Sequence, residues 1–253
     1  MPQTVDLGSR FLQATLHEGV LRVVFNRPER RNAMTDDMWR GITQAVHLAD
    51  QDPTLDALVL TGTGDVFCAG GDMSEPHHTD DPQMPPQMLL PFEHIERCSK
   101  LVVAVVNGLC QAGGLILALC ADISLASDRA TFRAPQLLRG IADTLVSARL
   151  MHQVGLARAR HLLFTAARID ATEAERIGLV SRVAPAAELE TQLGVILDQI
   201  RATGPAARTL LKRDLYRQLP AFDWAPLLRS LTSPETAEGV RAFLEKRPPR
   251  WPR

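Results

Sequence analysis

The sequence lacks the features that mark metal-binding and membrane-spanning proteins. Its cysteines form no CxxC pair and stand among apolar neighbours, which is typical of small core residues: Cys68, Cys98, Cys110 and Cys120. The longest apolar runs, Leu101–Val106 and Leu115–Ala121, fall far short of the ~20 residues that cross a bilayer. We therefore expect neither a metal site nor a membrane span.

An excess of charge of one sign is also missing. The chain has 28 basic and 29 acidic side chains, whereas a nucleic-acid partner would require a clustered basic face. The one basic cluster is the C-terminal tail (Lys246, Arg247, Arg250 and Arg253), for which a solvated terminus is favoured over phosphate contact. Residues 1–6 show no basic patch followed by an apolar stretch. We expect no secretory signal and a cytoplasmic location.

What is present predicts an α/β protein. Buried strands are expected at Leu21–Phe25, Ala57–Leu60, Val102–Val106 and Ile123–Ala126. Helices are expected after Thr35 and at Leu115–Ala121, so strands and helices alternate. Beyond about Pro185 only helical patterns remain, at Leu189–Arg201, Pro205–Leu219, Phe222–Leu231 and Pro234–Lys246. The pattern predicts an α/β core over residues 1–188 and a helical C-terminal domain over 189–253.

One segment is too polar and too rich in proline for regular structure. Ser74 to Pro91 is enriched in Pro, His, Asp and Met, which favours a loop that borders a site. Polar side chains in or near this loop are weaker site candidates, since such residues more often face solvent: Glu75, His77, His78, Glu93 and His94.

Two glycine-bearing segments carry the chemistry. Phe67–Asp72 follows a predicted strand and its turn, and Asn107–Gly114 follows another strand and opens a helix. Glycines allow close approach of the backbone to a ligand, and a helix N-terminus presents unpaired N–H groups. Two such groups aimed at one oxygen would form an oxyanion hole. Tight turns alone are the alternative for either segment, and a dinucleotide fingerprint fails because Phe67 stands where its third glycine is needed.

In this order the segments resemble the crotonase (enoyl-CoA hydratase/isomerase) superfamily. The resemblance runs from about residue 15 to 247, over 26–34, 67–72, 107–122, 168–174, 177–180 and 243–247. It implies a spiral of ββα repeats with a C-terminal helical oligomerisation domain that builds trimers, often paired into hexamers. No tightly bound cofactor is implied.

Coenzyme A would instead be part of a thioester substrate, with the thioester oxygen between the N–H groups of Ala69 and Gly113. The resemblance places CoA along the segment after Asn26, with these residues as contacts: Arg27, Arg30, Arg31, Ala33, Ala69, Gly71 and Asp72. Phe243 and Lys246 match positions that reach CoA on a neighbouring subunit; core packing and a solvated charge remain their alternatives.

The sequence departs from the family pattern at both hydratase glutamates. Ile116 and Gln136 occupy these positions. Isoleucine has no proton to give and glutamine cannot ionise, so we expect very slow hydration of 2-enoyl-CoA. Ala112 stands where many relatives have a third glycine.

One carboxylate remains well placed. Asp143 aligns with a catalytic aspartate of some relatives, although its loop is one residue shorter than in the hydratases, and capping of the following helix is the alternative. A dehalogenase is less favoured, because Leu89 and Gln136 replace the residues that accompany its nucleophile. The hypotheses are an enzyme of isomerase type with Asp143 as base, a catalytically silent acyl-CoA binder, and a thioester hydrolase or lyase.

Overall fold

The strands form two sheets in the computed structural model, which describes residues 1–74 and 91–252. The seven-stranded sheet has the order β1-β2-β3-β4-β6-β8-β11, and the four-stranded sheet has the order β10-β9-β7-β5. The strands are β1 (Gln3–Val5), β2 (Leu12–His17), β3 (Val20–Phe25), β4 (Ala57–Gly62), β5 (Val66–Cys68), β6 (Leu101–Val106), β7 (Leu109–Gln111), β8 (Ile123–Ser127), β9 (Thr131–Arg133), β10 (Arg168–Asp170) and β11 (Arg182–Ala184).

The helices alternate with the later strands and then take over the chain. They are α1 (Asp36–Gln51), α2 (Phe92–Arg97), α3 (Gly113–Cys120), α4 (Thr144–Val154), α5 (Leu156–Thr165), α6 (Ala171–Arg176), α7 (Leu189–Arg201), α8 (Pro205–Arg217), α9 (Trp224–Leu231) and α10 (Pro234–Leu244). Short 3₁₀ helices lie at Pro28–Arg30, Gln136–Arg139 and Ala186–Glu188. The strands and helices predicted from the apolar patterns are all present, with bounds shifted by a few residues.

The chain steps between the two sheets in a repeated way. Strands β4, β6 and β8 lie parallel in the larger sheet. Each is followed by a short strand of the smaller sheet, β5, β7 and β9, which are also parallel. This repetition confirms the predicted α/β spiral, although the sequence itself shows no repeat.

The central strands of the larger sheet, β4, β6 and β8, are buried on both faces. Leu58 and Leu60 of β4 face the main core, while Val59 between them faces a second cluster. That cluster packs β4, β6 and β8 against α7 through Leu193 and Ile196. Continuous apolar runs are what a parallel sheet covered on both sides requires. Because α7 covers the sheet, the domain boundary at 188 stays a prediction.

Helix α1 follows its predicted pattern with one difference. Its buried face includes Met38, Ile42 and Val46 as expected. Thr35 is the N-cap residue, but its hydroxyl hydrogen-bonds the carboxylate of Asp37 instead of a helix amide. The negative first turn still complements the helix dipole.

The cysteines are core residues, as predicted. Cys68, Cys98, Cys110 and Cys120 are buried and unbridged. Burial raises the pKa of the Cys68 thiol to about 12. Within residues 1–74 and 91–252, no group of three His, Cys, Asp or Glu side chains is arranged to hold a metal ion. None of the helices in these two ranges is both long and apolar enough to cross a membrane.

Candidate functional site

The candidate site lies where three parallel strands end. The carboxyl ends of β5, β7 and β9 are neighbours, since Cys68 pairs with Cys110 and Gln111 pairs with Arg133. The segments that leave them are 69–71, 112–113 and 134–136. Loops at the carboxyl edge of parallel strands are a common place for ligands in α/β proteins. The topology therefore brings both glycine segments and Gln136 to one edge.

Gly70 and Gly113 allow two of these segments to touch. Gly70 has φ +100°, and a Cβ built on it would lie 2.6 Å from the Cβ of Ala112 and 3.3 Å from the nitrogen of Gly113. A Cβ on Gly113 would lie 2.9 Å from the ring of Trp39. A side chain at Gly70 would force the two segments apart, and one at Gly113 would collide with Trp39. The glycines are required for close approach, beyond the formation of turns.

The amide of Ala69 is already engaged. Its N–H donates to the carbonyl of Arg31 at 3.2 Å, so the prediction that Ala69 supplies a free N–H does not fit the structure. Gly71 lies in a parallel bridge with Met34, in which Met34 N–H donates to Gly70 and Asp72 N–H donates to Met34. Because amides alternate sides along an extended segment, the N–H of Gly71 points away from Met34.

Gly113 is the first residue of α3, and its amide has no acceptor within the helix. Ile116 N–H makes the first turn by donating to Ala112 at 3.2 Å. The N-terminal amides of a helix are free to bind a ligand and carry partial positive charge. Ile116 lies one turn later on the same face and is buried. The side chain one turn after the Gly113 amide is therefore apolar and cannot transfer a proton.

Asp143 is the N-cap of α4 and pairs with Gln136. Its Oδ1 accepts from the N–H groups of Leu145 (3.0 Å) and Val146 (3.1 Å). Its Oδ2 accepts from the Nε2 of Gln136 at 2.9 Å. Burial raises the pKa of Asp143 above its usual range, although these three hydrogen bonds act in the opposite direction. The capping role is confirmed, and the carboxyl is enclosed enough to hold a proton more tightly than an exposed one.

The loop that carries Asp143 is tied to the C-terminal helices of the same chain. Ala142 N–H donates to Ser230 Oγ at 2.7 Å, and Thr236 Oγ1 donates to the Gly140 carbonyl at 2.9 Å. A Cβ on Gly140 would lie 2.6 Å from the backbone of Glu235. Helices α9 and α10 therefore fix the position of Asp143.

The predicted CoA contacts divide into a buried and an exposed set. Arg27 donates to Asp72 at 2.6 Å and to the carbonyl of Ala33 at 3.1 Å, and both members of the ion pair are buried. Burial alone would raise the pKa of Asp72, but hydrogen bonds from Ser74 and Arg27 outweigh it and lower the net pKa. Arg30 and Arg31 are exposed, and Gly71 and Ala33 are half-buried.

Phe243 and Lys246 lie on the surface of the C-terminal end. Phe243 is 46% exposed, and the guanidinium of Arg139 stacks on its ring at 4.0 Å from the centroid. Lys246 is exposed and follows α10 with φ +54°. Core packing does not account for Phe243.

The remaining weak candidates have other partners or lie outside the described residues. Glu93 accepts from Trp224 at 3.2 Å and pairs with Arg97, and the His94 ring packs edge-on against His47 at 5.0 Å. Glu75, His77, His78 and Leu89 belong to residues 75–90, which lie outside the described ranges.

Several contacts of the site give no signal in the sequence. Asn32 is fully buried, and its side chain joins the segment after β3 to the β4–β5 turn through Arg27 N, Thr63 O and Val66 O. The Arg27–Asp72 pair links positions 45 residues apart. The sequence indicates Gln136 and Asp143 separately, but it does not indicate that they contact each other.

Fold and site together define an α/β protein with two glycine-bearing segments and a carboxyl–carboxamide pair at one edge of its smaller sheet. The chain belongs to the enoyl-CoA hydratase/isomerase family, whose model matches residues 15–253.

Similar proteins occur in both bacteria and eukaryotes. A putative enoyl-CoA hydratase of Thermus thermophilus is 32% identical over 93% of this chain and 99% of its own length. A short-chain-enoyl-CoA hydratase of Clostridium acetobutylicum is 32% identical over 91% of this chain and 93% of its own. The crystal structure of an enoyl-CoA hydratase from Mycobacterium avium subsp. paratuberculosis has a TM-score of 0.86 at 27% identity, covering 96% of this chain and 99% of that one.

Proposed function

We propose that this protein binds acyl-CoA thioesters and catalyses proton transfer through a thioester enolate, in the manner of an isomerase rather than a hydratase. The observation that carries the proposal is that the segments with Gly71 and Gly113 leave neighbouring strands at one sheet edge, with the Asp143–Gln136 pair after the next strand. The names of the relatives support a CoA thioester as the substrate.

The thioester oxygen is held by the amides of Gly71 and Gly113 in this proposal. Gly71 takes the place of Ala69, whose N–H donates to Arg31. Each donor contributes about 3–4 kcal/mol when negative charge develops on the oxygen. Ala69 keeps a supporting role, because Gln111 Nε2 donates to its carbonyl at 3.4 Å.

Asp143 is the proposed base. Its carboxylate removes a proton from the α- or γ-carbon of the acyl group, and the electron pair moves into the enolate, whose oxygen is bound by the two amides. Return of the proton to a different carbon shifts the double bond. The raised pKa of Asp143 brings its basicity closer to that of a general base at neutral pH.

The exposed arginines are the proposed contacts of the CoA phosphates. Arg30 and Arg31 reach solvent, whereas Arg27 is committed to Asp72 and holds the 69–74 loop against the segment after β3. Phe243 and Lys246 remain proposed contacts to CoA on a neighbouring subunit. Arg30→Ala/Arg31→Ala should weaken acyl-CoA binding in calorimetry, and the difference from wild type should shrink as salt is raised.

The decisive experiment is deuterium exchange. Wild type is incubated in heavy water with a panel of acyl-CoAs, and deuterium at the α- and γ-carbons is measured by mass spectrometry. Asp143→Asn should bind acyl-CoA normally but lose exchange by ~10² or more. Asp170→Asn is the matched control, because Asp170 caps α6 from an exposed position. Equal exchange in wild type and Asp143→Asn would refute the role of Asp143.

A catalytically silent acyl-CoA binder is the second candidate. The observation that favours it is that both oxygens of Asp143 already accept hydrogen bonds. Binding of acyl-CoAs in calorimetry without exchange, hydrolysis or cleavage would establish this alternative. Absence of binding to the whole panel would overturn both.

A further inference from the structure

Gln136 holds an unusual position for a polar side chain. It is 9% exposed, and its Nε2 donates to Asp143 Oδ2 at 2.9 Å. Its Oε1 is buried and has no hydrogen-bond partner among the described residues. A buried carbonyl oxygen without a donor costs free energy, and such groups in native structures require an explanation.

The hydrogen bonds of Asp143 show which of its oxygens exchanges a proton. Oδ1 is occupied by the two amides at the start of α4. Oδ2 has the Gln136 amide as its partner and retains a second lone pair. Protonation therefore takes place on Oδ2, next to Gln136.

The Gln136 amide as placed favours the ionised carboxylate. A charged oxygen accepts an N–H more strongly than a neutral carboxyl does. When Oδ2 takes up a proton on its second lone pair, the contact with the Nε2–H of Gln136 weakens. The hydrogen bond therefore favours loss of the proton from Asp143.

We propose that Gln136 is a positioning residue that orients the Asp143 carboxylate and favours its ionised state through the Nε2–H donor. The unpartnered Oε1 is the free-energy cost of keeping that donor in a buried place. A glutamate would titrate together with Asp143, and an apolar residue would leave Oδ2 without this donor. The effect of Gln136 on catalysis rests on the proposed function, because it requires that Asp143 gains and loses a proton during turnover.

The ionisable groups on the surrounding elements make no hydrogen bond to this pair among the described residues. They are Cys120, Arg133, Arg139, Arg149, His152, Asp223, Arg229, Glu235, Glu238 and Arg241. Arg133 donates to the Ala166 carbonyl, Arg139 stacks on Phe243, and Arg149 pairs with Glu96. Asp223 caps α9 by accepting from Ala225 at 3.1 Å, and Glu238 pairs with Arg247. In the described part of the chain, Gln136 is therefore the one side chain that hydrogen-bonds the Asp143 carboxyl.

Gln136→Met tests the proposal, because methionine has a similar length and cannot hydrogen-bond the carboxyl. Loss of the N–H donor should move the acid limb of the pH–rate profile for deuterium exchange to higher pH. The exchange rate at neutral pH should fall about tenfold. The melting temperature should not fall, because the unpartnered buried oxygen is removed as well. Gln218→Met, which breaks an exposed Gln–Asp contact on α8, should change neither quantity.

A second measurement separates this proposal from the proposed function. The pH titration of the Asp143 carboxyl is followed by ¹³C NMR, and its resonance is identified by its absence in Asp143→Asn. The midpoint of this titration should lie at higher pH in Gln136→Met than in wild type. An unchanged midpoint, or a loss of melting temperature with an unchanged pH profile, would overturn the proposal. If wild type incorporates no deuterium into any acyl-CoA, the proposed function fails. The NMR titration would still decide the role of Gln136. Gln136→Leu serves the same comparison should Gln136→Met fold poorly.

Discussion

At the residue scale, Asp143 acts on stability in two opposite ways. As the N-cap of α4 it satisfies two amides, which typically contributes about 1 kcal/mol. Its burial raises the pKa above the value of an unfolded chain, so the folded state binds the proton more tightly. Stability therefore falls as the pH rises from the unfolded pKa through the raised folded pKa. The cap and the buried charge oppose each other at neutral pH.

Asp143→Asn separates these effects. Asparagine caps almost as well as aspartate but carries no charge. The melting temperature of the variant relative to wild type should therefore increase as the pH is raised through that window. Thermal unfolding between pH 4 and 8 measures the difference, with Asp170→Asn as a control for an exposed cap. A difference that stays constant or decreases with pH would show that the buried charge carries no cost.

Ile116 and Gln136 determine how fast the protein can hydrate an enoyl-CoA. Hydration needs one group to activate water and another to deliver a proton, and each typically contributes ~10²–10⁴ in rate. Ile116 is buried and apolar, and the Gln136 amide is committed to Asp143. Crotonyl-CoA hydration, followed by loss of absorbance of the conjugated thioester, should therefore be negligible. Turnover near the ~10 s⁻¹ median of enzymes would contradict the assignment of these positions.

At the scale of elements, α8 is fastened to the core by one buried lysine. Lys212 is 2% exposed and donates to Asp122 at 2.6 Å, to Ile95 O at 3.0 Å and to Lys100 O at 2.9 Å. Tyr216, one turn later, donates to the carbonyl of Cys120 at the end of α3. The helix that begins at Gly113 is thereby held at its C-terminus by α8.

Lys212→Met should be strongly destabilising, because it leaves the Asp122 carboxylate buried without its cation. Removing one partner of a buried pair typically costs about 3–5 kcal/mol. Lys212→Met/Asp122→Asn should recover part of this loss, since the unpaired charge is gone. Urea unfolding at a fixed protein concentration measures both variants. A double variant less stable than Lys212→Met would argue against the charge as the cause.

The elements show why part of the fold was predictable. Strands β4, β6 and β8 are long apolar runs, and their burial on both faces follows from that composition. Strands β5, β7 and β9 have three residues each, and their pairing depends on partners distant in sequence. The site lies at the ends of these short strands. The glycines that border it were therefore visible, but the meeting of their segments with Gln136 was not.

The same limit applies to individual contacts. Arg27 reads as a solvent-exposed base near a turn, and only the fold reveals Asp72 as its partner. Lys212 lies among polar residues of α8, which suggests a surface charge, but it is the buried residue of that helix. Ala69 and Gly71 are two residues apart and both follow β5, so the difference in their amides appears only once Arg31 and Met34 are placed. Patterns locate elements, whereas hydrogen-bond partners require the tertiary structure.

At the scale of the whole molecule, the C-terminal helices present apolar side chains that this chain leaves uncovered. Leu210, Leu211, Leu215 and Leu231 of α8 and α9 are exposed, as a contact with another copy would require. The apolar faces of these helices also predict Leu227 and Leu228 as contacts. Leu227 is instead buried in the main core with Phe222 and Trp224, and Leu228 is partly buried against that core. The candidate interface therefore consists of the four exposed leucines.

The exposed leucines on α8 support the prediction of a homotrimer or a pair of trimers. Leu211 and Leu215 are one turn apart, at 62% and 56% exposure. Leu211→Glu should reduce the mass measured by light scattering towards the 27.8 kDa of one chain, because a buried unpaired charge opposes association. Val195→Glu, at an exposed apolar position on α7, is the matched control and should leave the mass unchanged. Wild-type protein that is already monomeric at micromolar concentration would refute the prediction. Acyl-CoA affinity falling with the mass would further indicate that the neighbouring copy supplies part of the CoA site, as proposed for Phe243 and Lys246.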